Sequence, residues 1–440
     1  MKTNNQESIN YVLNQASENE VKFIRLWFTD LFGNIKGFGI TDFEFEKVLK
    51  EGISFDGSSI FGTERSSETE LIAFPDPTTF QILPWRPDAP AVAKINCDIL
   101  DKDGNPSNFD SRHILKNKVK ELADLGLNFY VAPEIEYFYL ESSDSMKPID
   151  EKTYFDQFGI HDDLESDLRR KTVLCLEQMG IPIQKFHHEV SPGQQEISLR
   201  YSDSLTMADS VQTFKIVVKE IAMLSDVFAT FMPKPFENHE GNGMHLHISL
   251  FKNEKNLFTK NKSKSGISKE GEQFSAGLLK HMNDFMIITN QHVNSYKRLV
   301  AENESPSHIS WSHAPNSFNS ITIPKIRKGS EDSSSRIKLR VPDSGCNPYL
   351  TFASIITAGL KGMKNNYKLG PEVSSRNDVK DDFKLPNNLG KVLEHSENNQ
   401  FLKEVMTDDV AGIYLRGKKS EWMEYSKYIS KFELNYWLNL

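Results

Sequence analysis

Ala-Pro-Glu-Ile-Glu-Tyr-Phe, residues 132–138, alternates ionisable and apolar side chains. Successive side chains of an extended strand point to opposite faces, so Glu134 and Glu136 share one face while Ile135 and Tyr137 share the other. Three further segments behave alike. Gly-Met-His-Leu-His-Ile-Ser-Leu, 243–250, sets His245, His247 and Ser249 against Leu246, Ile248 and Leu250. Ser-Ser-Arg-Ile-Lys-Leu-Arg-Val-Pro-Asp, 334–343, sets Arg336, Lys338 and Arg340 against Ile337, Leu339 and Val341. His-His-Glu-Val-Ser-Pro-Gly-Gln-Gln-Glu-Ile-Ser-Leu-Arg-Tyr, 187–201, adds Glu189 before a turn and Glu196 after it.

One such segment describes a solvent-facing edge strand. Four describe a curved sheet whose polar faces line a common funnel, with Glu134, Glu136, Glu189, Glu196 and His245 near one another. Carboxylates gathered this closely raise one another's pKa and protonate unless cations neutralise them. Divalent metal supplies that charge, and oxygen-rich ligation with one imidazole suits Mg²⁺ or Mn²⁺ better than structural zinc, which recruits Cys. The cationic strand would meet phosphate or carboxylate groups on substrates, a bidentate task suited to Arg.

The 440 residues suggest two domains, or one large domain with an appendage. With 38% hydrophobic and 26% charged residues the chain reads as globular and soluble. A formal net charge of -9 argues against nucleic acid or anionic lipid as partners, since both need a concentrated basic surface. The opening Met-Lys-Thr-Asn-Asn-Gln-Glu-Ser-Ile-Asn has no apolar core of the kind a secretory signal requires, and no run approaches a membrane span, so a cytoplasmic protein is expected. Three widely spaced cysteines, Cys97, Cys175 and Cys346, fit thiols in a reducing compartment.

A helix is expected around Ile9 to Ala16, with strands at Val21 to Phe28 and Phe80 to Pro84. Asp101 to Asp110 is dense in turn formers and marks a domain boundary, after which Ser111 is the expected N-cap of a helix. Further helices are expected at Asp167 to Met179, Thr206 to Phe228 and Ala276 to His292, and polar loops at Lys252 to Gly271 and Lys328 to Ser335.

In order along the chain, these motifs resemble those of the glutamine synthetase family. The likeness runs from Phe-Asp-Gly-Ser-Ser-Ile (55–60) and Pro-Asp-Pro-Thr-Thr-Phe-Gln-Ile-Leu-Pro-Trp (75–85), through the glutamate and histidine segments, to Asn-Ser-Tyr-Lys-Arg-Leu (294–299) and Asn-Pro-Tyr-Leu (347–350). The resemblance implies an α+β chain with an N-terminal β-grasp domain, 1–108, and a catalytic domain, 109–440, built on a curved antiparallel sheet flanked by helices. It implies a homo-oligomer of hexameric rings, up to a dodecamer, with active sites between subunits. It implies a ligase joining L-glutamate to ammonia through a γ-glutamyl phosphate, using ATP and two or three Mg²⁺ or Mn²⁺ ions per site.

Residue by residue, the resemblance assigns metal to Glu134, Glu136, Glu189, Glu196 and His245. Arg298, Arg340 and Gly241 would hold substrate. Asp56 would bind ammonium and take its proton, and Glu304 in Ala-Glu-Asn-Glu-Ser-Pro would close the site, with Tyr154 beside that pocket. Tyr201, His247, Ser249, Arg336 and Lys338 fall on the nucleotide side. No tyrosine lies between Arg376 and Glu397, so the family's adenylylation is not expected.

Four positions depart from the family pattern. Lys338 stands where the family has a glutamate that ligates the nucleotide-side metal. Ser317 and Thr322 replace two arginines associated with the phosphates, and Glu240 replaces an asparagine near the glutamate backbone. Losing two arginines while exchanging Glu for Lys leaves the formal charge unchanged, which suggests that Lys338 contacts phosphate in compensation. Other readings stay open: a ligase for a small amine or polyamine, or a silenced regulatory paralogue. Glu240 would either alter the donor site or pair with a nearby cation.

Overall fold

The computed structural model describes residues 5–60, 70–86, 90–149, 163–259, 265–299, 305–313, 318–325, 329–330, 334–378, 383–397 and 399–440. The N-terminal sheet contains β1 (Val21–Thr29), β2 (Ile35–Thr41), β3 (Ile53–Asp56), β4 (Glu70–Pro75), β5 (Gln81–Ile82) and β6 (Ala91–Asp101). Its order is β2-β1-β6-β4-β3, with β5 also on β6. β1 and β6 run parallel, and helices Gln6–Glu18 and Asp42–Glu51 cover one face through Ile9, Val12, Phe45 and Leu49, a β-grasp arrangement. Each such fully buried aliphatic or aromatic side chain contributes about 1.5–3 kcal/mol.

The second sheet is built around β7 (Leu127–Leu140), with β8 (Ile183–His188), β9 (Gln194–Leu199), β10 (Ser202–Asp203), β11 (Phe228–Thr230), β12 (Met244–Lys252), β13 (Lys255–Asn256), β14 (His308–Ser312), β15 (Asn319–Thr322) and β16 (Ile337–Leu339). The path is β14-β15-β16-β12-β7-β9-β8. As expected, the sheet is chiefly antiparallel; β14 and β15 alone among its described pairs run parallel, which makes it mixed at that edge. The apolar face, including Ile135, Tyr137, Leu246, Ile248, Ile337 and Leu339, is fully buried in the main core. Helices Ser111–Asp124, Ser204–Met223 and Pro348–Lys364 supply much of its cover, and the charged face is left to the funnel.

Several element boundaries differ from expectation for local reasons. Asp110, not Ser111, caps the helix, because its carboxylate accepts from Arg112 N and also from Ile99 N. Of the expected Phe80 to Pro84 strand only Gln81–Ile82 is regular; Leu83 N still donates to Val92 O of β6 before a turn closes at Arg86 N to Leu83 O. The expected helix Ala276 to His292 is two helices, Lys269–Lys280 and Met282–Thr289. The second stops at Thr289, where the backbone of Asn290 leaves the helical range, and the side-chain amides of Asn290 and Gln291 donate to Val341 O, Phe32 O and Gly345 O. Among the described residues no helix is long and apolar enough to cross a membrane.

Arg112 joins the two sheets. Its guanidinium, almost wholly buried, pairs with Asp98 at 2.6 Å, Asp209 at 2.8 Å and Asp76 at 2.9 Å. Asp98 lies on β6, Asp76 follows β4, and Asp209 belongs to helix Ser204–Met223. Arg112 thus ties the β-grasp sheet to a helix behind the funnel, with Lys116 joining it at Asp98, 2.7 Å away, and planar bidentate geometry makes Arg the suitable residue.

Candidate active site

Strand register assembles the polar face. β7 sets Glu134 opposite His245 of β12 and Ser198 of β9, and sets Glu136 opposite Glu196 of β9. β8 brings His187 opposite Glu196. On the other side β16 sets Lys338 opposite His247, and β15 sets Thr322 opposite Lys338. Five strands therefore place ionisable residues in one continuous patch, with Thr322 of a sixth at its edge.

One half of the patch is a carboxylate cluster. Ligand atoms of His187, Glu189 and Glu196 all lie within 4.8 Å of one another. His187 Nδ1 is 3.5 Å from Glu189 Oε1 and its Nε2 is 3.3 Å from Glu196 Oε1. Glu196 Oε1 also accepts from Ser198 Oγ at 3.0 Å and faces Lys185 Nζ at 3.1 Å. Burial pushes the Glu196 carboxyl up, but the His187 hydrogen bond and the Lys185 charge outweigh it and Glu134's repulsion, and hold it below the ordinary range. Glu136 Oε2 accepts from Gly243 N at 2.7 Å, which aims its other oxygen. Glu136 and Glu196 on paired strands, with Glu189 and the His187 imidazole beside Glu196, fit a hard divalent ion.

The other half is organised around Glu134. Lys338 Nζ donates to Glu134 Oε2 at 2.6 Å, and His245 Nδ1 is 3.4 Å from the same oxygen. His247 Nε2 lies 2.9 Å from Oε1. Arg336 Nε donates to His247 Nδ1 at 3.0 Å, so the His247 proton sits on Nε2 and is donated to Glu134. Burial would raise the Glu134 pKa, yet the two histidines and Lys338 hold it well below the usual carboxylate range. Burial and the nearby cations Lys338 and Arg340 push His245 well below its ordinary value. Lys338 thus meets an acid the resemblance had assigned to metal.

Arg298 is buried, and donates through Nη1 to Val341 O at 3.0 Å and through Nη2 to Arg340 O at 3.1 Å. It braces the segment that carries Arg340. Gly241 and Gly243 leave room for it: a Cβ on Gly243 would lie 2.7 Å from Arg298 Nη2, and one on Gly241 would lie 2.8 Å from Arg298 Cγ. Glu240 N donates to Ser191 Oγ at 2.9 Å, and its charge acts on Arg298 and Lys234. Glu240 Oε2 is enclosed without a hydrogen bond among the described residues.

Not every expected residue joins this patch. Asp56 ends β3 on the N-terminal sheet, where its carboxylate accepts from Ser58 N and Ser58 Oγ, each at 2.9 Å. Tyr201 follows β9, exposed, with its ring edge-on to Tyr130, and Ser249 pairs with Tyr130 across β7 and β12. Glu304, Tyr154 and Ser317 lie outside the described residues. Thr322 is buried, its Oγ1 without a hydrogen bond among the described residues. Sequence reasoning gave no role to Lys185 or His187, although their spacing of two on β8 is the same alternation that singled out the glutamates. A cavity of about 1000 Å³ lined by Lys215, His292 and Tyr425 lies elsewhere and contains none of the cluster.

A β-grasp domain followed by a second, larger domain is also what comparison with known proteins finds. Residues 20–102 match the model for the glutamine synthetase β-grasp domain, and residues 108–437 match that for the glutamine synthetase catalytic domain. The chain belongs to the glutamine synthetase family. It is 42% identical over 444 residues to a glutamine synthetase of Mycolicibacterium smegmatis, covering 98% of this chain and 99% of that one. A glutamine synthetase of Methanosarcina mazei is 40% identical over 441 residues, covering 98% and 97%. A solved structure described as a GmaS/ADP complex superposes with a TM-score of 0.88 at 27% identity, covering 98% of this chain and 99% of that one.

Proposed function

We propose that the protein is an ATP-dependent ligase that joins L-glutamate to ammonia through a γ-glutamyl phosphate. The observation that supports this most is the pairing of Glu136 with Glu196 across β7 and β9, with ligand atoms of Glu189 and Glu196 within 4.8 Å of each other, in a chain that matches the family over nearly its full length. A divalent ion, Mg²⁺ or Mn²⁺, held by these three acids would neutralise charge on the transferring phosphoryl group. Tyr201, His247, Ser249 and Arg336 serve the nucleotide side. Arg340, carried on the segment that Arg298 braces, orients substrate carboxylate with Gly241 at its edge.

Asp56 takes the proton from ammonium, since only the neutral amine attacks an acyl phosphate. Its place on the β-grasp sheet, away from the glutamate strands, suits service to a neighbouring subunit of a homo-oligomer. Glu304 and Tyr154 complete that pocket and keep water from the activated intermediate. The β-grasp unit extends over 1–108 and the catalytic unit over 109–440.

The test incubates purified protein with ATP, Mg²⁺, glutamate and either ammonia or a panel of amines, following ADP and amide product together. Glutamine is the expected product. Turnover with a small amine but not with ammonia would replace the acceptor. No turnover with any acceptor, by an assembled protein, would overturn the ligase reading and leave a silenced paralogue.

A further inference from the structure

We infer that the Lys338 ammonium stands in for a second divalent cation, so that this site takes its ion at the Glu136, Glu189 and Glu196 cluster and none between Glu134 and His245. The inference rests on the proposed reading for the nature of the first ion. Glu134 lies deep in the sheet face, where an ionised carboxylate needs a cation or strong donors. Its two oxygens already have them. Oε2 receives Lys338 Nζ at 2.6 Å, and Oε1 lies 2.9 Å from the His247 Nε2 that Arg336 sets in its donor tautomer.

The remaining donors do not suit a divalent ion. Hard cations take six or more oxygens, with several from carboxylates. Around Glu134 Oε2 the close groups are one imidazole, His245 at 3.4 Å, and one ammonium. Lys338 offers donors only, and its fixed positive charge repels any ion that would bind the same oxygen. Lys185, at 3.7 Å from Glu134 Oε1, is half exposed and can swing into solvent. Lys338 is held on β16 between His247 and Thr322, with its side chain 19% exposed, and has no such exit.

Charge balance agrees. An acid at position 338 together with a divalent ion would add one net positive charge beside Glu134, and the lysine alone adds the same. The substitution therefore keeps the local field while removing a ligand and an ion. A lysine is a compact point charge on a flexible stem, so it preserves charge but not coordination geometry.

The experiment titrates the metal-free full-length protein with Mn²⁺ in the absence of nucleotide, counting free ion by electron paramagnetic resonance. Wild type is expected to bind one tight Mn²⁺ per chain. Lys338→Glu is expected to gain a second, at least about 100-fold tighter than any second ion of wild type, because the change replaces repulsion by a ligand. Two ions of comparable affinity in wild type would overturn the inference, as would a folded Lys338→Glu protein that stays at one. Should Lys338→Glu fail to fold, Lys338→Gln decides: a second ion gained supports the inference and a count still at one overturns it. Turnover is not measured, so an inactive ligase would refute the functional reading and leave the ion count standing.

Discussion

Replacing Lys338 by methionine keeps the aliphatic stem and removes the charge beside Glu134. At 2.6 Å and an effective dielectric constant of about 20, the pair attracts by about 6 kcal/mol. Desolvation of the ammonium offsets part of this, and removing one partner of a buried pair costs about 3–5 kcal/mol. His247 remains hydrogen-bonded to Glu134 and His245 remains close, so a loss near the lower end, about 3 kcal/mol, is expected at pH 8.

That loss should shrink at lower pH. In wild type, burial and Lys338 are among the influences that lower both His245 and His247 below the ordinary 6.5. A histidine lowered in the folded state binds its proton more readily when unfolded, so it subtracts stability as pH falls below about 6.5. Without Lys338 both histidines rise, that subtraction weakens, and a protonated imidazole can neutralise Glu134. Chemical unfolding in metal-free buffer, followed by tryptophan fluorescence at pH 8 and pH 6, should show the larger deficit at pH 8. An equal deficit at both values, or none, would refute the assignment of Lys338 as the cation that neutralises Glu134.

Arg112→Met should destabilise the protein by about 3–5 kcal/mol, because Asp209 loses its paired cation while Asp76 and Asp98 retain Lys116; adding Asp209→Asn should recover part of it in the same unfolding assay. Gly243→Ala should cost about 1–3 kcal/mol, because its Cβ meets a guanidinium held by backbone carbonyls, and should lower amide formation by displacing the Arg340 segment.

Much of the site was legible locally. Glu134 and Glu136, His245 and His247, and Arg336 and Lys338 share faces because strand alternation is a property of neighbouring residues. The turn formers of Asp101 to Asp110 were visible locally, and the structure adds that Asp110 caps the following helix while also accepting from β6. Lys185 and His187 were equally visible as a pattern, but a lone basic alternation says nothing until Glu196 is known to lie opposite. The division of the expected helix at 276–292 was not legible: it falls at His281, whose ring stacks on Phe401, a neighbour that local sequence does not reveal.

The sequence by itself determined which residues face together on each strand, which types could hold a hard cation, and the family to which the chain belongs. Only the tertiary structure decided that Lys338 meets Glu134, 204 positions away, rather than lying free for phosphate, and that the Arg298 guanidinium braces the backbone around Arg340. Periodicity is local, whereas the pairing of distant strands is set by the packing of their apolar faces against one core. That packing fixes which charges become neighbours, and burial then makes each such neighbour matter.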